Sequence, residues 1–242
     1  GSSWYWLRYM DPHNDKEFAS QEALKYWGKV DWYNGGMEHA TRHLLYARFW
    51  NRFLFDIGLV PNKEPFEKRT AHGMVLGSDG EKMSKSKGNG VNPMDVVNEY
   101  GADALRVYQL FIGDFEQDAV WNNDGLKGCF RFLTRVWDLK NKLSDNNEYT
   151  KDIEVLIHKT IKKVDNDIEI MKYNTAISAL MILLNAMDKL QVISKKDLRT
   201  FITLLNPFAP HVTEEINTIC NLGEELSYTK WPEYDDAKTQ DD

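Results

Sequence analysis

Val30-Asp31-Trp32-Tyr33-Asn34-Gly35-Gly36-Met37-Glu38-His39-Ala40-Thr41-Arg42-His43-Leu44-Leu45-Tyr46-Ala47-Arg48-Phe49 decides how this chain is read. Val30 to Tyr33 is a short β-prone run that stops at Gly35-Gly36, and from Met37 to Ile57 apolar residues recur at helical spacing. Strand, glycine turn and helix in that order build open α/β sheets, and ligands bind where the strand ends and the helix begins. The glycines let a ligand approach the backbone. Glu38 can accept hydrogen bonds from ligand hydroxyls, and His39 and His43, at i and i+4, are expected to share a helix face.

Upstream, the aromatic stretch Trp4 to Met10 begins a helix, Asp11 to Asp15 is a loop, and Ser20 to Trp27 is a second helix. Downstream, Gly58, Pro61 and Pro65 read as a connection, Gly73-Met74-Val75-Leu76 as a short strand and Ser78-Asp79-Gly80 as a turn. The second half reads as helical. Apolar positions 126, 130, 133, 136, 137 and 143 lie on one helix face, and Ile153 to Met171 continues the pattern. Thr175 to Ile193 is a third helix, and Ser194 with Asp197 has capping-box spacing for a fourth, Lys195 to Leu205; a fifth follows Pro210. Such helices with short connections form a bundle.

At 242 residues, 28.2 kDa and 42% hydrophobic content, the chain suffices for one large domain or two ordinary ones, and disorder is excluded. Lys and Arg number 30 against 37 Asp and Glu, so the chain is not a uniformly basic nucleic-acid binder and any RNA contact is local. Much of the excess sits in 224–242, where Glu224, Glu225, Glu233, Asp235, Asp236, Asp241 and Asp242 face only Lys230 and Lys238. Cys129 and Cys220 form neither a disulfide framework nor a CxxC site, so a reducing, cytoplasmic setting is expected. No apolar run approaches the ~18 residues of a membrane span, and no membrane partner is expected. The chain opens Gly1-Ser2-Ser3-Trp4 without an initiator methionine, as a processed or excised chain would.

Lys82-Met83-Ser84-Lys85-Ser86-Lys87-Gly88-Asn89 is the sharpest chemical signal. Three lysines interleaved with small hydroxyls and bracketed by Gly77, Gly80, Gly88 and Gly90 make a loop able to fold over an anion, with phosphate the natural partner. A lysine cluster alone reads as a solvated loop. The string Lys82–Ser86, however, is the full KMSKS signature of class I aminoacyl-tRNA synthetases. Gly35 to Phe49 resembles the leucyl-tRNA synthetase version of its segment, as do Gly1 to Tyr9, Tyr100 to Arg106, Arg131 to Trp137 and Trp231 to Asp235. The resemblance runs in order along nearly the whole chain.

The resemblance implies α/β plus all-α architecture: the C-terminal half of a Rossmann-like class I catalytic domain, then a helical bundle. It divides the chain into 1–90, the second half of the catalytic domain with the KMSKS loop; 91–123, a connecting, stem-contact segment; 124–223, a bundle of anticodon-binding type; and 224–242, an acidic tail leading toward a C-terminal module. The implied activity is that of a leucine-tRNA ligase, which activates leucine with ATP, accompanied by Mg2+, and transfers it to tRNA-Leu. Lys82 and Lys85 would be catalytic and hold the triphosphate. Gly35, Gly36, Glu38, His39, Met74 and Val75 would bind the rest of ATP, and Ser2, Tyr5, His39 and His43 the leucine. Arg131 and Arg135 would meet tRNA.

The family's His-x-Gly-His signature has no match at His13, His39, His43, His72, His158 or His211, so the chain reads as a fragment whose partner is the N-terminal, HIGH-motif half. Two plain readings compete for individual residues. His39 and His43 could hold zinc, but the order is Glu-His-x-x-x-His and no third ligand stands nearby, so no protein-bound metal is expected. They could also be buried, satisfied histidines, and Trp4, Tyr5 and Trp6 are core packing unless the resemblance singles out Tyr5. For the whole chain the alternative is a non-catalytic RNA- or nucleotide-binding module, supported by Arg131, Arg135 and Lys142.

Overall fold

The computed structural model describes residues 1–239; Asp241 and Asp242 of the acidic tail lie outside them. The chain forms two compact units, Gly1–Met74 and the residues from Val75 onward. The sequence reading instead ends its first domain at 90. The division falls earlier because Val75–Leu76 takes its strand partner from Ala119–Val120.

In the first unit, β1 (Val30–Gly36) and β2 (Phe66–His72) pair in parallel from Val30 opposite Phe66 to Gly36 opposite His72. Parallel neighbours need a crossover, which α3 (His43–Asp56) supplies. Helices α1 (Tyr5–Tyr9) and α2 (Gln21–Trp27) complete the unit, with the Ser20 side chain accepting from the Ala23 amide to start α2. Trp6, Leu7, Ala19, Leu24, Ala47, Leu54 and Val60 form its core.

Three readings need correction here. The helix expected from Met37 to Ile57 is interrupted: Met37–Ala40 is a 3-10 turn, and Arg42, at φ −119° and ψ −98°, leaves helical geometry before α3 restarts. The chain turns too tightly for continuous α-winding, with the Glu38 carboxylate folded so close to Gly36 that a Cβ there would meet it at 2.3 Å. His39 and His43 therefore do not lie on one continuous helix. Strand β2 went unread because Glu67-Lys68-Arg69 hides its alternation, and β3 is only Val75–Leu76.

In the second unit, β3 pairs in parallel with β4 (Ala119–Val120), and the crossover contains α4 (Pro93–Tyr100) and α5 (Ala102–Phe111). The segment read as a connection is thus largely helical. Gly101, at φ +87°, ends one helix and begins the next, a conformation open to glycine at little cost. The bundle follows: α6 (Asn123–Asp138), α7 (Lys151–Glu169), α8 (Tyr173–Lys189), α9 (Lys195–Leu205) and α10 (Pro210–Ile219). The predicted Ser194–Asp197 capping box is present. The buried Asp197 carboxylate also accepts from the Thr150 amide at 3.1 Å and hydroxyl at 2.5 Å, joining the starts of α7 and α9. Leu180, Leu184, Phe201 and Leu205 are among many fully buried side chains of this core.

Leu180→Ala should destabilise the protein by about 2–5 kcal/mol, since a fully enclosed leucine leaves a cavity its neighbours cannot fill. Chemical denaturation followed by circular dichroism measures it; a loss below 1 kcal/mol would mean that the bundle collapses around the gap.

Candidate functional site

At the C-terminal end of β1 the first unit opens a cavity of about 650 Å³. Its walls include Ser2, Tyr5, Gly35, Gly36, His39 and His43, residues the sequence reading had placed in two subsites. Chain geometry explains the convergence. The strand ends at Gly35-Gly36, the 3-10 turn carries His39 over that end, α3 begins with His43, and α1 brings Tyr5.

Tyr33, which the sequence reading missed, is the hub. Its hydroxyl lies 2.5 Å from that of Tyr5 and 2.7 Å from His43 Nε2, and its ring stacks on Phe66 at 4.0 Å. Burial and the neighbouring His39 lower the pKa of His43, while a hydrogen bond to the Ser2 backbone opposes them. Burial and the bond to Tyr5 hold the Tyr33 phenol well above its ordinary range. With His43 neutral and accepting at Nε2, Tyr33 donates its proton there and accepts that of Tyr5. These hydroxyls thereby satisfy one another, leaving ring faces and Leu44 for an apolar ligand group. The signal for Tyr33 was its position: alternation along β1 puts it on the face of Gly35.

Arg69, on the unread β2, also lines the cavity and donates from Nη2 to the Gly36 carbonyl at 3.1 Å, bracing the glycine turn. Other expected residues lie elsewhere. The Glu38 carboxylate packs against Gly36 rather than among the cavity walls, and Met74 and Val75 are not among them either.

The Lys82–Ser86 loop belongs to the second unit. Asn89 organises it: its Nδ2 donates to both oxygens of Asp79 at 3.2 and 3.0 Å, and its Oδ1 accepts from the Ser84 amide at 2.8 Å. The hydroxyls of Ser84 and Ser86 lie 2.7 Å apart, and Met83 packs against the core. Lys87 pairs with Glu81 at 3.4 Å, whereas Lys82 and Lys85 are exposed and form no ion pair among the described residues. The loop thus holds two ammonium groups on a braced frame, ready for an anion.

Helix α6 carries Arg131 and Arg135. Arg131 is exposed, but Arg135 is held by Asp188 at 2.6 Å and Asn185 at 2.7 Å, and Lys142 reaches the Asp188 carbonyl at 2.7 Å. Among the described residues no group of three or more His, Cys, Asp or Glu side chains is placed to hold a metal ion, and no helix is long and apolar enough to cross a membrane.

A glycine-ended parallel unit and a KMSKS loop ahead of a helical bundle are features of class I aminoacyl-tRNA synthetases, and comparison with known proteins finds similarity to the same class. Residues 42–122 match the family "tRNA synthetases class I (I, L, M and V)", and residues 150–242 match "Anticodon-binding domain of tRNA ligase". A Leucine--tRNA ligase of Alkaliphilus oremlandii (strain OhILAs) is 55% identical over 241 residues, covering 100% of this chain and 30% of the relative. The agnB2 LeuRS of Agrobacterium radiobacter K84, crystallised as a ternary LeuRS-tRNA-LeuAMS complex, superposes with a TM-score of 0.88 at 31% identity, over 99% of this chain and 34% of that one. Mycobacterium tuberculosis methionyl-tRNA synthetase, bound by methionyl-adenylate, shares the fold at a TM-score of 0.60 and 19% identity, over 85% of this chain and 46% of that one. Over its whole length the chain is similar to leucyl-tRNA synthetases, and it spans 30% of the length of the ligase it matches.

His43 should titrate below the ordinary 6.5, and His39→Gln should raise its midpoint by removing the neighbouring positive charge. Because the folded pKa is depressed, the unfolded state takes up the proton first, so this group costs stability as pH falls from 6.5 through the folded value. Proton NMR of the imidazole C2–H reads the midpoint; a value at or above 6.5 would contradict the burial argument.

Proposed function

We propose that this chain is the part of a leucine-tRNA ligase that holds leucine and the nucleotide and supplies the phosphate-binding lysines. The observation that carries the reading is the Tyr5–Tyr33–His43 network, whose polar groups are spent on one another beside a glycine turn open to a ligand. In this reading Ser2, Tyr5, His39 and His43 surround an aliphatic amino-acid side chain, and Tyr33 joins them. Gly35, Gly36 and Glu38 receive the ribose, and the Met74 and Val75 backbone receives adenine.

The leucine carboxylate attacks the α-phosphorus of ATP, giving leucyl-adenylate and pyrophosphate, and the ribose hydroxyl at the tRNA-Leu terminus then attacks the leucyl carbonyl, forming the ester and releasing AMP as the acyl–phosphate bond breaks. Negative charge builds on the departing pyrophosphate, so ammonium groups at Lys82 and Lys85 stabilise the transition state more than the reactants. Magnesium enters on the phosphates of ATP. The HIGH-motif half of the enzyme supplies the remaining phosphate contacts, and the setting is cytoplasmic. The 91–123 segment and the 124–223 bundle serve tRNA docking, with Arg131 the better placed contact and Arg135 committed to Asp188. A non-catalytic RNA- or nucleotide-binding module is not favoured: Arg135 and Lys142 are engaged by Asp188, and the whole chain matches a ligase.

The 242-residue chain by itself should not support leucine-dependent pyrophosphate exchange, because it contains no His-x-Gly-His sequence. Exchange at the rate of the full-length relative would overturn that division of labour. Joined to a HIGH-motif half, Lys85→Ala should raise the barrier to adenylate formation by about 2–4 kcal/mol with little effect on leucine affinity. Single-turnover kinetics decides; an unchanged chemical step with weaker leucine binding would remove Lys85 from this role.

A further inference from the structure

The second unit carries a groove of about 520 Å³ that the proposed reaction does not use. It lies where the beginnings of α5 and α10 meet α6. Three aromatic side chains, Tyr100, Phe130 and Trp137, line it, with Leu133 between them. Tyr100 and Phe130 meet edge to face at 5.6 Å. Trp137 already receives a cation from its own chain, with Lys140 Nζ 3.8 Å from the ring centroid. That contact shows the indole accepting an ammonium group, and it leaves the groove's remaining aromatic surface for the ring of a ligand.

The ionisable groups of the wall are one-sided. They are Asp103, His211 and Glu215, with no lysine or arginine. Asp103 is consumed by the fold: its side chain is 9% exposed and accepts from the Val212 amide at 2.7 Å, with His211 Nδ1 at 2.8 Å, so it caps α10. Glu215, one turn along α10, is exposed and forms no ion pair among the described residues. Aromatic faces plus a free carboxylate, with no lysine or arginine among the lining residues and the one nearby ammonium, Lys140, already placed on Trp137, favour one ligand chemistry. An anion would meet carboxylates, and a neutral apolar group would gain nothing from Glu215.

We propose that this groove binds a small ammonium compound bearing an aromatic or alicyclic group, its ring between Phe130 and Trp137 and its charge toward Glu215. The inference is independent of the proposed adenylate chemistry, since neither the two lysines nor any of the residues proposed to hold leucine or the nucleotide lines the groove.

Phenethylamine is the probe, with phenethyl alcohol and phenylacetate as neutral and anionic counterparts, titrated into the whole 15N-labelled chain. The amine should shift the Gly101, Thr134 and Val212 amides and the Trp137 indole saturably. The alcohol should bind about tenfold more weakly and phenylacetate not at all. Glu215→Gln should bring the amine down to the level of the alcohol while leaving the alcohol unchanged, and Thr134→Trp, which fills the groove, should abolish both. Equal affinity for amine and alcohol, an unaltered preference in Glu215→Gln, shifts away from these residues, or no binding by the amine would each overturn the proposal.

Discussion

Parallel strand pairing is the constraint on which both units depend. Two parallel neighbours cannot be joined by a tight turn, so each pair must be bridged by helix, and the ends of both strands then point the same way. For β1 and β2 the bridge is α3, and the shared end places Gly35 and Gly36 beside Ala71 and His72. The cavity lies there because a crossover helix must begin close to the end of its first strand, which brings His43 to the glycine turn. For β3 and β4 the same requirement gives α4 and α5 their place, and the KMSKS loop sits inside that crossover.

Polar groups in this protein divide by whether the fold uses them up. Asp197 and Asp103 each cap a helix that does not follow them directly or ties two helix starts together, so their charge goes into architecture. Arg135 and Lys142 converge on Asp188 in the same manner. Tyr5, Tyr33 and His43 pair among themselves and so turn a polar set into a largely apolar surface. Lys82, Lys85 and Glu215 stay unpaired among the described residues, which leaves their charge for something outside the chain.

Much of the architecture was legible because it depends on local rules. The Ser194–Asp197 box and Pro207 bounded α9 at Lys195–Leu205, and the apolar stripes of α7 and α8 set their faces. The expected site residues Ser2, Tyr5, Gly35, Gly36, His39 and His43 were singled out through family resemblance, and the fold brings them to the walls of one cavity. Strand β2 was not legible, since Glu67-Lys68-Arg69 carries a charge pattern typical of a solvated segment. Helices α4 and α5 escaped because Gly101 divides them into short pieces whose stripes are weak separately.

The sequence by itself determined the helix caps, the glycine turn, the lysine loop and the apolar faces, because each is a property of residues within a few positions of one another. Tertiary structure alone decided that Tyr33 would bridge Tyr5 and His43, that Arg69 would brace Gly36, and that Arg135 would be tied to Asp188. It also decided that the helix after Gly36 would break at Arg42. Each of these is a contact between residues distant in sequence, or a local cost accepted to make one. Whether a polar side chain is spent or free is settled only when the chain has brought its partners within hydrogen-bond reach.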